Sequence, residues 1–121
     1  MEQNKPHIIT LCGSTRFESE FIEIAQDLTL AGNIVLCPVI LTNRYSIGIT
    51  DAQKEILNNI HLKKIDMSDE VIIINKNGYI GESTAKEIEY CIKNKKKVFY
   101  LYNCSSEDKY NLPIYRKLFA Y

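Results

Sequence analysis

Val71-Ile-Ile-Ile74-Asn-Lys-Asn-Gly78-Tyr-Ile-Gly81-Glu-Ser-Thr84-Ala85-Lys-Glu87-Ile88-Glu-Tyr-Cys91-Ile92 is the stretch on which the fold turns. Its opening apolar run does not alternate with polar residues, so it reads as a strand buried on both faces rather than one with a wet side. Asn75–Glu82 then forms a glycine-containing loop. Ala85, Ile88, Cys91 and Ile92 recur at helical spacing, and Val98–Tyr102 is a further apolar run. Strand, loop, helix and strand in this order make a βαβ unit, whose two strands run parallel because the crossover returns the chain to the same end.

The same alternation extends towards the N-terminus. His7–Cys12 is a short apolar run that stops at Gly13. Phe17, Phe21, Ile24, Ala25 and Leu28 follow at helical spacing, and Gly32 ends that helix. Ile34–Leu41 is a second strand, interrupted only by Pro38, and Ala52, Ile56, Leu57 and Ile60 mark a second helix. Pro113–Tyr121 is expected to close the chain as a short helix, since proline suits a first helical position. The order βαβαβαβ predicts one α/β domain over residues 1–121, a three-layer, doubly wound, flavodoxin- or Rossmann-like fold. Its parallel sheet should have about four to five strands. In such sheets ligands bind beyond the carboxyl ends of the strands. That rule selects the loops Gly13–Arg16, Pro38–Thr50 and Asn75–Thr84.

Composition narrows the partners. Lys and Arg number 15 and Asp and Glu 15, so no net charge draws the chain to nucleic acid or to an anionic membrane. The basic run Lys93–Lys97 fits a helix end, where cations are favoured. No apolar run approaches membrane-spanning length, and Met1–Pro6 has no apolar leader segment. The cysteines at 12, 37, 91 and 104 show neither a metal spacing nor CxxC, and nothing demands a disulfide. A reducing, cytoplasmic setting is expected. His7 and His61 also lack a partner at metal-ligand spacing, so no metal is expected.

Three segments fit the capping box: Thr15-Arg-Phe-Glu18, Thr50-Asp-Ala-Gln53 and Thr84-Ala-Lys-Glu87. On that pattern Glu87 need do nothing but start a helix. Gly13, Ser14, Thr15 and Arg16 offer a turn, two hydroxyls and a guanidinium where a helix begins, which suits an anion. Neither a GxGxxG nor a GxxxxGK[ST] motif is present. Tyr79, Gly81, Ser83 and Thr84 form a second loop of the same kind, with Tyr79 either stacking on a ring or packing under the loop. Both loops should face one end of the sheet. Asp66 and Asp69 precede the third strand, where carboxylates commonly make turns.

Ile9–Phe17, His61–Asn75 and Gly78–Cys91 together resemble the nucleoside 2-deoxyribosyltransferase-like superfamily, which includes deoxynucleoside 5′-monophosphate N-glycosidases. The resemblance runs over residues 7–102 and aligns Glu87 with the family's catalytic glutamate. It implies attack of Glu87 on C1′ of a deoxyribose, or stabilisation of the charge that develops there, as glycoside chemistry requires. It also implies a 5′-phosphate on Ser14, Arg16 and Ser83, a helix N-terminus that keeps the carboxylate ionised, no cofactor, and a homodimer or higher homo-oligomer. The aromatic tail, Tyr110, Tyr115, Phe119 and Tyr121, is a surface for such assembly or packs on its own domain. The chain departs from the family pattern at two positions. His61 stands near the place of a family aspartate, and Glu89 where glycine is frequent. His61 or Asp69 would support Glu87. The alternative is a module that binds or senses a nucleotide in the same pocket without turnover.

Overall fold

Apolar residues on consecutive positions of a strand can be buried only if both faces of the sheet are covered, and that is what the third strand does. In the computed structural model, which describes residues 5–105 and 107–116, Glu70–Ile74 (β3) is buried along its whole length. Ile72 and Ile74 face one layer with Ile9 and Leu11 of β1 (Ile8–Gly13). Phe21 and Leu28 of α1 (Glu18–Leu30) cover that layer. Val71 and Ile73 face the other layer, with Ile65 of α3 (Asp51–Met67) and Ile88 and Cys91 of α4 (Glu82–Lys93). β2 (Ile34–Leu36), the short α2 (Asn43–Ser46) and β4 (Lys97–Tyr100) complete the chain order.

The sheet has four strands in the order β2-β1-β3-β4, all parallel. The fold is the expected three-layer, flavodoxin/Rossmann-like α/β arrangement. The chain leaves β1 towards β2 on one side and returns to β3 on the other, so α1 covers one face and α3 and α4 the opposite one. The loops after β1 and β3 therefore diverge and open a crevice at the switch in strand order. Gly13 is where they part. A side-chain carbon there would lie 2.9 Å from the Ile74 carbonyl oxygen, so only glycine lets β1 and β3 stay paired up to the crevice.

Four expectations need correction. β2 is shorter than Ile34–Leu41, because it is an edge strand and Pro38 cannot continue a ladder. The box Thr15–Glu18 does not form: Ser14 caps a 3-10 turn at Thr15–Phe17 instead, accepting from the Arg16 amide at 3.2 Å. The box Thr84–Glu87 does not form either. α4 starts two residues before Thr84, with Gly81 as its cap and no side-chain cap bond. Thr84, Ile88 and Cys91 then lie on one buried face, so Thr84 is a packing residue inside the helix. Thr50–Gln53 does form, with both reciprocal bonds. Finally, no helix begins at Pro113. Ile114 bridges Tyr100 in parallel, and Tyr115 packs into the core on Phe99. The remainder of that expected helix, with Phe119 and Tyr121, lies outside the described residues. The basic run does sit at a helix end: the Lys96 ammonium donates to the Asp66 and Ser68 carbonyls at the end of α3. No described helix is long and apolar enough to cross a membrane.

Candidate functional site

The crevice at the switch point is a cleft of about 370 Å³, within the range of small-molecule sites. All three selected loops reach it. Gly13, Ser14 and Thr15 come from the end of β1, Pro38 and Val39 from the end of β2, and Tyr79, Gly81, Ser83 and Thr84 from the loop and first turn of α4. Glu87 forms the inner wall from α4, and His61 faces it from α3. A neighbouring apolar hollow lined by Leu41, Tyr45, Ile49, Gln53, Ile56 and Leu57 offers no carboxylate, imidazole or thiol.

Glu87 is past the first turn of its helix, so it is not a cap and gains little from the helix dipole. Its side chain is 16% exposed, and burial raises its pKa to about 7 against a weaker opposing bond with Cys12. The expectation that the helix N-terminus would hold this carboxylate ionised is thus reversed. Near neutral pH the group divides between acid and carboxylate. Among the described residues no lysine or arginine pairs with it. The basic side chain beside it is His61, whose Nε2 lies 3.9 Å from Oε1.

His61 is buried, and burial, helped by the nearby Lys64 ammonium, lowers its pKa to about 4. It is therefore neutral at physiological pH and is not the imidazolium donor that a leaving base would draw on. Its Nε2 also lies 3.3 Å from the Cys12 thiol, while Nδ1 is buried with no hydrogen-bond partner among the described residues. A nucleophile–base–carboxylate triad needs the two ring nitrogens to serve different neighbours. Here thiol and carboxyl share one nitrogen, and the thiol is fully buried with a pKa raised well above its usual value. Cys12 is not an activated nucleophile.

The remaining expected site residues separate clearly. Arg16 and Tyr79 form a clasp at the mouth: the guanidinium lies 3.8 Å from the ring centroid and donates to the hydroxyl at 3.0 Å. Tyr79 also packs edge-on against Phe17. Asp69 does not reach the cleft. It sits where β3 begins, at the opposite end of the sheet, and accepts from the Ile8 amide at 2.8 Å with His7 beside it. The Ile8 amide bond holds its carboxyl below the usual range. Asp69 therefore tethers two strands and is not a partner of Glu87. Glu89 turns away from the cleft and accepts from the Tyr110 hydroxyl at 2.9 Å.

Cys12, Asn58 and Lys64 are the residues at or under the cleft that the sequence did not single out. Lys64 is tied down by donating to the Cys37 carbonyl at 2.7 Å, which fixes the loop after β2 against α3. Cys12, His61 and Glu87 meet although they come from β1, α3 and α4, and a search for metal-ligand spacing within one segment is blind to such a cluster.

No protein-family model matches the chain, and no curated protein matches it. Among solved structures the chain is similar to a conserved protein from Enterococcus faecalis V583, with a TM-score of 0.59 and 16% identity over 88% of this chain and 70% of that one. That likeness supports the fold.

Proposed function

We propose that this chain cleaves or transfers the N-glycosidic bond of a (deoxy)nucleoside or its 5′-monophosphate, with Glu87 as the carboxylate that meets C1′. The observation that carries this reading is the placing of Glu87: inside α4 rather than at its cap, walling the switch-point cleft, largely desolvated and, among the described residues, unpaired with any lysine or arginine. A carboxylate in such a setting stabilises an adjacent oxocarbenium centre strongly, or adds to it, because little water or counter-charge competes. The first-turn amides of α4 have no side-chain cap, and with Ser14, Thr15 and Ser83 they offer donors for a sugar hydroxyl or a 5′-phosphate. Arg16 would approach that phosphate by leaving Tyr79, and the freed ring would stack on the base. The resemblance of Ile9–Phe17 and Gly78–Cys91 to the deoxyribosyltransferase-like superfamily points the same way, and the homo-oligomer and cytoplasmic setting belong to this reading on that ground.

A binding module without turnover is the second reading, and neutral His61 is what favours it, since it removes the most obvious proton donor for a leaving base. Incubation with deoxynucleosides and their 5′-monophosphates, followed by chromatography for free base, separates the two. Base release by the wild type that Glu87→Gln lacks is the expected result, with the variant still binding nucleotide. Nucleotide binding with no base released by either protein would leave only the module.

A further inference from the structure

Glycosidic chemistry gives Cys12 no task, yet its Sγ, His61 Nε2 and a Glu87 carboxylate oxygen all lie within 4.8 Å of one another. We propose that these three atoms are a binding site for one thiophilic divalent cation of the Zn²⁺ class, and that the bound ion takes the Glu87 carboxylate out of use.

The spacing fits the ion. A tetrahedral centre with bonds of about 2.0–2.3 Å holds its ligand atoms roughly 3.3–3.7 Å apart. The Cys12–His61 and His61–Glu87 separations are 3.3 and 3.9 Å and no pair exceeds 4.8 Å, so closing on a cation needs side-chain shifts of about an ångström or less. The donor set selects the class. One sulfur, one imidazole nitrogen and one carboxylate oxygen suit zinc or cobalt, whereas magnesium and calcium want oxygen throughout. Three protein ligands leave the fourth position open, on the side where His61 and Glu87 line the cleft.

The surroundings also fit. Electron-pair donors converge here from three separate elements, and Glu87 has no lysine or arginine paired with it among the described residues. His61 is 6% exposed, with Nε2 aimed into the cluster and Nδ1 without a hydrogen-bond partner among the described residues, so Nε2 is the ring nitrogen directed at other groups. Ligation through Nε2 fixes the proton on Nδ1. Binding replaces the S–H bond of Cys12 with a metal–sulfur bond and releases that proton, together with any proton on Glu87, to solvent; no electron changes hands.

The metal site stands independently of the glycosidic reading, whereas its inhibitory effect rests on it. Chelator-treated, reduced protein titrated with Co²⁺ should develop a thiolate-to-cobalt charge-transfer band and the intense visible bands of tetrahedral cobalt, saturating near about one ion per chain. Zn²⁺ should bleach both. Cys12→Ala should lose the charge-transfer band, and His61→Gln should weaken binding by more than the roughly 10–100-fold that a change outside the ligand shell costs. Melting curves identify variants that fold. If folded wild type gives no tetrahedral cobalt spectrum, or if folded Cys12→Ala keeps the wild-type spectrum and affinity, the site is refuted. Base release that Zn²⁺ stops and chelator restores supports the inhibitory effect; base release unaffected by saturating Zn²⁺ refutes it. Cobalt bands in a protein that never releases base would refute the glycosidic reading and leave the metal site in place.

Discussion

At the scale of single residues, Glu87 shows how one side chain can satisfy a local pattern without obeying it. The motif Thr84-Ala-Lys-Glu87 has every residue a capping box needs, but Thr84 is drawn into the core with Ile88 and Cys91, and the helix starts earlier. Local pattern loses to burial of a continuous face. The position of Glu87 on a helix beside a glycine loop was legible from the sequence, but its environment was not, because desolvation depends on α3 and β1, which are distant in the chain. The two roles predict opposite signs. The folded pKa of about 7 lies above the unfolded carboxylate value, so the native state keeps a proton that the unfolded chain has released. Stability conferred by the neutral carboxyl is then lost as pH rises from about 4.5 to about 7. In metal-free protein Glu87→Gln should be more stable than wild type at pH near 8 by on the order of 3 kcal/mol, and about equal to it near pH 4.5. A capping glutamate would instead lose about 1 kcal/mol. Urea midpoints at the two pH values distinguish them, and a Glu87→Gln variant less stable at pH 8 would refute the buried-carboxyl account.

At the scale of elements, periodicity found every strand and long helix, because the apolar runs are what the sheet buries, but it misjudged α3, whose expected face of Ala52, Ile56 and Ile60 is exposed while His61 and Ile65 further along are buried. Helix starts were the weaker part, since three identical-looking boxes have three outcomes. Thr50–Gln53 forms because the preceding loop leaves Thr50 extended at the helix entrance. Thr15 cannot act, because Phe17 must enter the core and Ser14 already caps the short turn before it. Thr50→Ala should therefore cost about 1 kcal/mol. Thr15→Ala, at an exposed residue with no cap bond, should stay within about 0.5 kcal/mol of wild type. Equal losses in thermal or urea unfolding would show that the sequence pattern, not the observed caps, governs both ends. The strand ends carry the same lesson. Asp69 was expected to support Glu87, but it precedes β3 while Glu87 lies on the helix that follows it, a strand separates its two ends in space, and Asp69 tethers β1 at the far one.

At the scale of the whole molecule, the crevice follows from strand order, and strand order follows from the βαβ pattern; the pairing across it does not. His61 and Glu87 meet only once α3 and α4 are packed on the same face, and burial then shifts their pKa values in opposite directions. The two shifts are linked through unfolding. His61 has a folded pKa of about 4, below its unfolded value near 6.5, so its contribution is present above pH 6.5 and is lost as pH falls towards 4. The contribution of Glu87 is present at low pH and is lost as pH rises towards 7. Between about pH 4.5 and 6.5 the unfolding chain takes up a proton at His61 and releases one at Glu87, so together they impose no slope on stability. The lowered carboxyls of Asp69 and Glu20 act below that window. Metal-free wild type should accordingly show a flat stability profile from about pH 5 to 6.5. Removing either group unmasks the other. His61→Gln should lose stability as pH rises, and Glu87→Gln should gain it, each by about 1.4 kcal/mol per pH unit at most. Urea-unfolding profiles of the three proteins across that window test the coupling. Parallel profiles would mean that the two buried groups do not titrate as their surroundings dictate.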